Sequence, residues 1–168
     1  MKRWAATFAV ALLAVAGCSS WDKADSTPTS YMPQQTGASP IRYDSDPLEQ
    51  RFPKLPKPVT GEWVQGFFSD TPLPGPNTTY WVDAIIEMPP QQLAAYVAPF
   101  QSSMVLATRP RLWKTLDAGV PSTAQFERSD ELDRMLSTTT NKGGWDVKAF
   151  VPQDGSVLVL SAQGKDPV

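Results

Sequence analysis

Carboxylates are the side chains in this sequence best placed to do acid–base chemistry, because the chain of 168 residues contains no histidine. Without imidazole, Ser/His/Asp and Cys/His catalysis and histidine-ligated zinc are excluded. Asp83 and Glu87 form the candidate pair, since both fall on one face of a strand predicted over residues 78–88. Four residues along a strand separate them by about 13 Å, beyond the roughly 5–9.5 Å used by glycoside hydrolases. The chain is therefore predicted not to be an enzyme, and a carboxylate hydrolase using a partner such as Glu62 is the outside alternative.

A second acidic group, Asp130, Glu131 and Asp133, has the composition but not the spacing of a calcium loop. Calcium loops place their ligands at alternate positions around a central glycine. Acidic residues in the first turn of a helix give a simpler explanation, because they complement the helix dipole. We therefore expect no metal site and no cofactor.

The aromatic residues are the remaining indication of binding. Trp81 shares its predicted strand face with Asp83 and Glu87, so we expect it to be exposed beside polar groups. Together with Trp145, these residues form a candidate binding surface whose rings could stack on sugars or anchor a protein. The alternative is that most of the aromatic rings lie in the core.

The single cysteine, Cys18, ends a segment with the order of a secretory signal. Lys2 and Arg3 precede a run of thirteen uncharged residues, "WAATFAVALLAVA", which is followed by small residues. As a helix this run would span about 20 Å, short of the ~30 Å hydrocarbon core of a bilayer. It is typical of a targeting segment rather than a permanent membrane span.

The residues Val15-Ala16-Gly17-Cys18 resemble the lipobox of bacterial lipoproteins. The resemblance implies transfer of a diacylglycerol to the Cys18 sulfur, cleavage between Gly17 and Cys18, and acylation of the new amino terminus, for example with palmitate. One acyl chain binds a membrane marginally and two or three bind it durably. The resemblance thus implies a protein anchored by lipid on the extracytoplasmic face of the cell membrane, and Ser19 fits sorting to the outer membrane in a host that has two. A free thiol after an ordinary signal peptide is the alternative.

Charge argues against nucleic acid as a partner. Removal of residues 1–17 would take Lys2 and Arg3 from the 15 basic residues and nothing from the 17 acidic ones, leaving 13 against 17 and a net charge of −4. Non-specific binding to nucleic acid or anionic lipid requires a basic surface. A membrane attachment would then depend on the lipid.

Composition divides the chain into a signal peptide at residues 1–17, a linker at 18–60 and one domain at 61–168. The linker is rich in Pro, Ser, Thr and Gln, and its seven prolines disfavour regular structure, so we predict a disordered tether. An alternative remains open because apolar residues are frequent in the later half. In that alternative residues 41–60 pack on the domain, through Ile41, Tyr43, Leu48, Phe52 and Leu55.

Periodicity predicts an α+β fold for residues 61–168. We expect strands at 61–69 and 78–88, a helix after Pro89-Pro90, a short strand in "SMVLAT" and a short helix ending at Gly119. A further helix should be capped by Ser129 or Asp130, and a hairpin should turn near Asp154-Gly155. The predicted fold is a small, largely antiparallel sheet with two or three helices packed on one face.

Two functions are consistent with these features. The first is a non-catalytic envelope lipoprotein that binds a protein, as an accessory subunit or as an exclusion or inhibitor factor of phage or plasmid type. The second is a module that binds cell-wall glycan or a small apolar ligand, and it requires an exposed Trp81. Residues 61–168 resemble no family by their motifs.

Overall fold

The structure is a computed structural model, and it describes residues 35–68, 78–120, 122–140, 143–153, 155 and 157–165. Its elements, in chain order, are β1 (Gln35–Thr36), α1 (Asp46–Arg51), β2 (Thr60–Phe68), β3 (Thr79–Glu87), α2 (Pro90–Val97), a 3-10 helix (Ala98–Ser103), β4 (Val105–Ala107), α3 (Lys114–Asp117), β5 (Phe126–Arg128), α4 (Asp130–Leu136), β6 (Thr138–Thr140), β7 (Gly143–Pro152) and β8 (Val157–Lys165).

The strands form one antiparallel sheet with β3, β8 and β7 at its centre. Seven strands follow the order β1-β2-β3-β8-β7-β5-β4, and β6 pairs separately with β7. The first three residues of β7 pair with β6, and its last residues pair with β5. The predicted α+β class with a largely antiparallel sheet is confirmed.

The central strands form where the sequence pattern predicts them. β2 and β3 pair from Thr60–Glu87 to Phe68–Thr79, and β7 and β8 form the predicted hairpin. These strands are rich in β-branched and aromatic residues, which pack well on a pleated surface. Pro152 ends β7, where the missing N–H costs little.

Hydrophobic side chains lie on both faces of this sheet. The first cluster takes Val82, Ala84 and Ile86 from β3. The second takes Trp81 and Ile85 from the opposite face of the same strand. Three helices contribute to the first cluster and one to the second. The first cluster contains Leu48 of α1, Leu93 and Val97 of α2, and Leu132 and Leu136 of α4. The second contains Leu116 of α3. The prediction that the helices pack on one face is therefore not confirmed.

Residues 35–60 belong to the folded unit, which corrects the predicted boundary at residue 61. β1 pairs with β2, and Phe52 is fully buried in the first cluster. The Trp63 indole N–H donates to the Asp44 carbonyl over 2.9 Å, and the Arg42 guanidinium lies 4.3 Å from the Trp63 ring centre. Pro47 is compatible with α1, because it lies in the first turn, where its missing N–H has no helical partner. The residues that the segment buries in the core are Leu48, Phe52, Leu55 and Val59.

The helices begin as the sequence predicts. Pro90 opens α2, and the Ser129 hydroxyl caps α4 by accepting from the N–H groups of Glu131 and Leu132 at 3.2 and 3.4 Å. The helix predicted to end at Gly119 is only four residues long, at α3. Within the described residues, no helix has the length and apolar character needed to cross a membrane.

Candidate functional site

The predicted binding surface does not form on the sheet, because most of its residues are buried. Trp81 and Asp83 lie under residues 109–120, and Trp145 lies in the first hydrophobic cluster. Glu87, at the end of β3, is exposed. The expectation of an exposed Trp81 beside two carboxylates is therefore wrong, since a segment distant in sequence covers the face that strand alternation would give to solvent.

Asp83 lies in an environment that disfavours its charge. Its Oδ2 accepts the backbone N–H of Trp113 over 2.7 Å, whereas Oδ1 is buried and has no hydrogen-bond partner among the described residues. Burial raises the pKa of Asp83 to about 6. The Ser161 hydroxyl, opposite Asp83 on β8, and the Trp113 N–H both lower this pKa, but their effect is smaller than that of burial. Asp83 therefore presents no side-chain surface to solvent in this structure.

Residues 109–120 are held over Asp83 by stacking and by a guanidinium. The rings of Trp81 and Trp113 stack with centroids 5.2 Å apart at an interplanar angle of 28°. The Arg109 guanidinium donates to the Asp117 carboxylate and to the carbonyls of Asp117 and Val120, the last at 2.7 Å. These contacts close the second face of the sheet.

Trp145 also has a structural role. Its ring packs edge to face on Phe52 with centroids 5.8 Å apart, and the Arg51 guanidinium lies 5.3 Å from its centre. It therefore ties β7 to the N-terminal segment and offers no ring surface to a glycan.

The acidic group at α4 is divided between solvent and interior. Asp133 is buried, and its Oδ1 accepts the Ala149 N–H over 2.8 Å. The Arg128 guanidinium donates to its Oδ2, and this bond raises the pKa of Arg128. In the described part of the chain, no three acidic or cysteine side chains come together as a metal site would require.

The apolar surface exposed on the sheet lies on β4. Val105 is 61% exposed and Leu106 is 73% exposed, on the last strand of the sheet order. Edge strands usually carry charges or other protection against pairing with a second chain. The exposed aliphatic pair makes β4 the strongest candidate for a binding edge.

A groove adjoins β4. It has a volume of about 690 Å³ and lies between α2 with the 3-10 helix on one side and β5, β7 and the turn after β7 on the other. Leu93, Val97, Met104 and Val151 supply apolar surface, and Glu127 supplies a carboxylate. We call β4 together with this groove the β4 surface.

Sequence reasoning located β4 as a strand in "SMVLAT" but not as an exposed edge. Its apolar residues are indistinguishable by type from those of a buried strand, and its position in the sheet depends on pairing with β5, some twenty residues later. The predicted lipidation residues, Gly17 and Cys18, lie outside the described residues.

Comparison with known proteins adds no relative, since no family model, curated protein or solved structure matches the chain.

Proposed function

We propose that the protein is a bacterial envelope lipoprotein, anchored through lipid on Cys18, whose folded unit binds another protein without catalysing a reaction. The anchor is supported by the pattern of Lys2, Arg3, the apolar run and Val15-Ala16-Gly17-Cys18. The same pattern supports a place on the extracytoplasmic face, and Ser19 supports sorting to the outer membrane in a host with two membranes.

The exposed edge of β4 is the observation that carries the binding proposal. An extended segment of a partner can add to a free sheet edge through main-chain hydrogen bonds and gain specificity from alternate side chains. Val105 and Leu106 would lose their exposed apolar surface in such a complex, which favours association. Burial of this surface in a complex would account for the aliphatic side chains on this edge.

The proposed anchor limits where the partner can be. Sixteen residues lie between Cys18 and β1, and a chain of that length spans at most about 55 Å when fully extended. We therefore expect the partner of the β4 surface to be a protein of the same membrane or its immediate surroundings.

A small apolar ligand is the second candidate, and the groove volume favours it. About 690 Å³ lies within the range of small-molecule pockets, roughly 300–1,000 Å³. The hypothesis of a module that binds cell-wall glycan is no longer supported, because the rings of Trp81 and Trp145 are buried and cannot stack on sugars. A ligand confined to the groove would be blocked by Ala94→Phe, which leaves the β4 edge open.

Site-specific photo-crosslinking in the native host tests the proposal. A photoreactive amino acid at position 106 should give one dominant protein adduct in the membrane fraction. Tyr43 is the matched control position, because it is 71% exposed and lies between β1 and α1. Equal adducts from positions 106 and 43, or none from 106, would overturn the proposed function.

A further inference from the structure

We propose that the occupant of the β4 surface is an extended, largely apolar segment that carries a lysine or arginine, added as a strand to β4. This inference rests on the proposed protein-binding function and adds the chemistry of the partner. It follows from three features of the surface: a row of side chains across the sheet, the electrostatics of the groove and the position of β4.

Leu106, Glu127 and Val151 form a row across three strands. Leu106 is the register partner of Glu127, and Glu127 is the register partner of Val151. Side chains of register partners lie on the same face of a sheet. Because Glu127 and Val151 line the groove, Leu106 lies on the groove side of β4. The exposed side chain of Leu106 and the groove therefore lie on the same face of the sheet.

The charge of this surface has one sign. Among the described residues that line the groove, Glu127 is the sole charged side chain. Gln153 Nε2 donates to Glu127 Oε1 over 2.8 Å, and no described residue makes a second hydrogen bond to this carboxylate. The adjacent cation, Arg128, is already paired with the carboxylates of Asp130 and Asp133. A partner cation would meet Glu127 without competition from it.

Strand spacing puts Glu127 within reach of such a cation. A strand added to β4 would lie about 4.8 Å from it and roughly 10 Å from β5. The long side chains of lysine and arginine can cross Leu106 with their methylene groups and place the charged end at the carboxylate. Alternate apolar side chains of the partner would pack against Leu106, and those on the other face against Val105.

Designed peptides test this chemistry on the full-length, lipidated protein in lipid nanodiscs. Three fluorescent nine-residue peptides of alternating valine and threonine would carry lysine, norleucine or glutamate at the central position. Fluorescence anisotropy should show the lysine peptide binding roughly twofold to fivefold more tightly than the norleucine peptide, the gain expected of a partly exposed ion pair. The glutamate peptide should bind most weakly.

Two variants and one peptide modification identify the contacts. Glu127→Gln should abolish the difference between the lysine and norleucine peptides, and Glu127→Lys should reverse the order of the lysine and glutamate peptides. N-methylation of alternate peptide amides along one edge should prevent binding, whereas N-methylation along the other edge should not, because a strand pairs through one edge only. Circular dichroism spectra matching the wild-type protein establish that each variant is folded.

Contrary outcomes separate this inference from the proposed function. Equal affinity for the lysine and glutamate peptides overturns the partner chemistry, and the protein-binding function stands if position 106 still crosslinks a protein in cells. If sedimentation shows a dimer that Leu106→Lys dissociates, the occupant is a second copy and the inference is wrong. Absence of a crosslink at position 106 overturns the proposed function whatever the peptides do.

Discussion

The backbone N–H of Trp113 donates a 2.7 Å hydrogen bond to Oδ2 of Asp83, a carboxylate buried within β3. The bond joins the sheet to the segment that covers its second face, and the stacked rings of Trp81 and Trp113 lie beside it. Oδ1 of the same carboxylate is buried without a partner in the described part of the chain. The ionised form is therefore poorly solvated in the folded protein.

Asp83→Asn should stabilise the protein at neutral pH. The pKa of Asp83 is raised from 3.8 to about 6 in the folded protein. Between these two pH values the folded protein keeps the proton on this carboxyl group, whereas the unfolded chain has released it. The protonated form of Asp83 therefore favours the folded state. Its full contribution to the free energy of unfolding is present below about pH 4 and is lost as the pH rises through about 6. The difference amounts to on the order of 3 kcal/mol by pH 7.5. Asparagine retains an oxygen to accept the Trp113 N–H and has no charge to bury.

Urea unfolding of the two proteins from pH 4 to pH 7.5 measures this effect. The free energy of unfolding of Asp83→Asn should exceed that of the wild-type protein by an amount that grows with pH. Glu87→Gln, on the same strand but exposed, is the matched control and should show no such growth. A constant difference between Asp83→Asn and wild type across this range would show that Asp83 does not titrate as described.

Phe52→Ala should destabilise the folded unit by about 3–5 kcal/mol, the usual cost of truncating a buried aromatic ring. Phe52 is fully buried against Trp145, although it belongs to a segment whose composition predicts a tether. Tyr43→Ala removes an exposed ring from the same segment and should change the free energy of unfolding by less than about 0.5 kcal/mol. Equal effects of the two substitutions in denaturant unfolding would contradict the packing of residues 35–60.

The sequence predicted those parts of the fold that depend on local pattern. β3 and the β7–β8 hairpin follow from alternation and turn residues, and the cap at Ser129 follows from helix chemistry. The N-terminal segment was predicted less well, because its prolines dominate its composition. The frequency of large apolar residues in its later half, among them Leu48, Phe52 and Leu55, was the signal that indicated burial.

The site was predicted less well than the fold, for a physical reason. Alternation in β3 places Trp81 and Asp83 on one face but cannot show what covers that face. Leu112, Trp113 and Leu116 cover it from some thirty residues away. Exposure of Leu106 likewise depends on the sheet ending at β4, which is a property of the topology and not of the residues near it.

Cys18→Ala should leave an uncleaved precursor that incorporates no fatty acid. The thiol is the acceptor of the diacylglycerol that the lipobox resemblance implies, and cleavage before residue 18 depends on that modification. Metabolic labelling with a palmitate analogue, followed by electrophoresis and membrane fractionation, measures both steps. Ser19→Ala is the matched control and should be labelled and cleaved as in the wild-type protein. Continued labelling of Cys18→Ala would contradict the proposed anchor.

The most direct test of binding through β4 is the recovery of its partner from native membranes with two charge-matched variants. Leu106→Lys removes exposed apolar surface and places a cation beside Glu127, whereas Thr108→Lys adds the same charge just beyond β4. Quantitative mass spectrometry should find the partner crosslinked at position 106 reduced roughly tenfold or more with Leu106→Lys, as expected for the loss of a buried leucine contact. Recovery with Thr108→Lys should match the wild-type protein. Equal recovery with both variants would contradict the assignment of β4 as the binding edge.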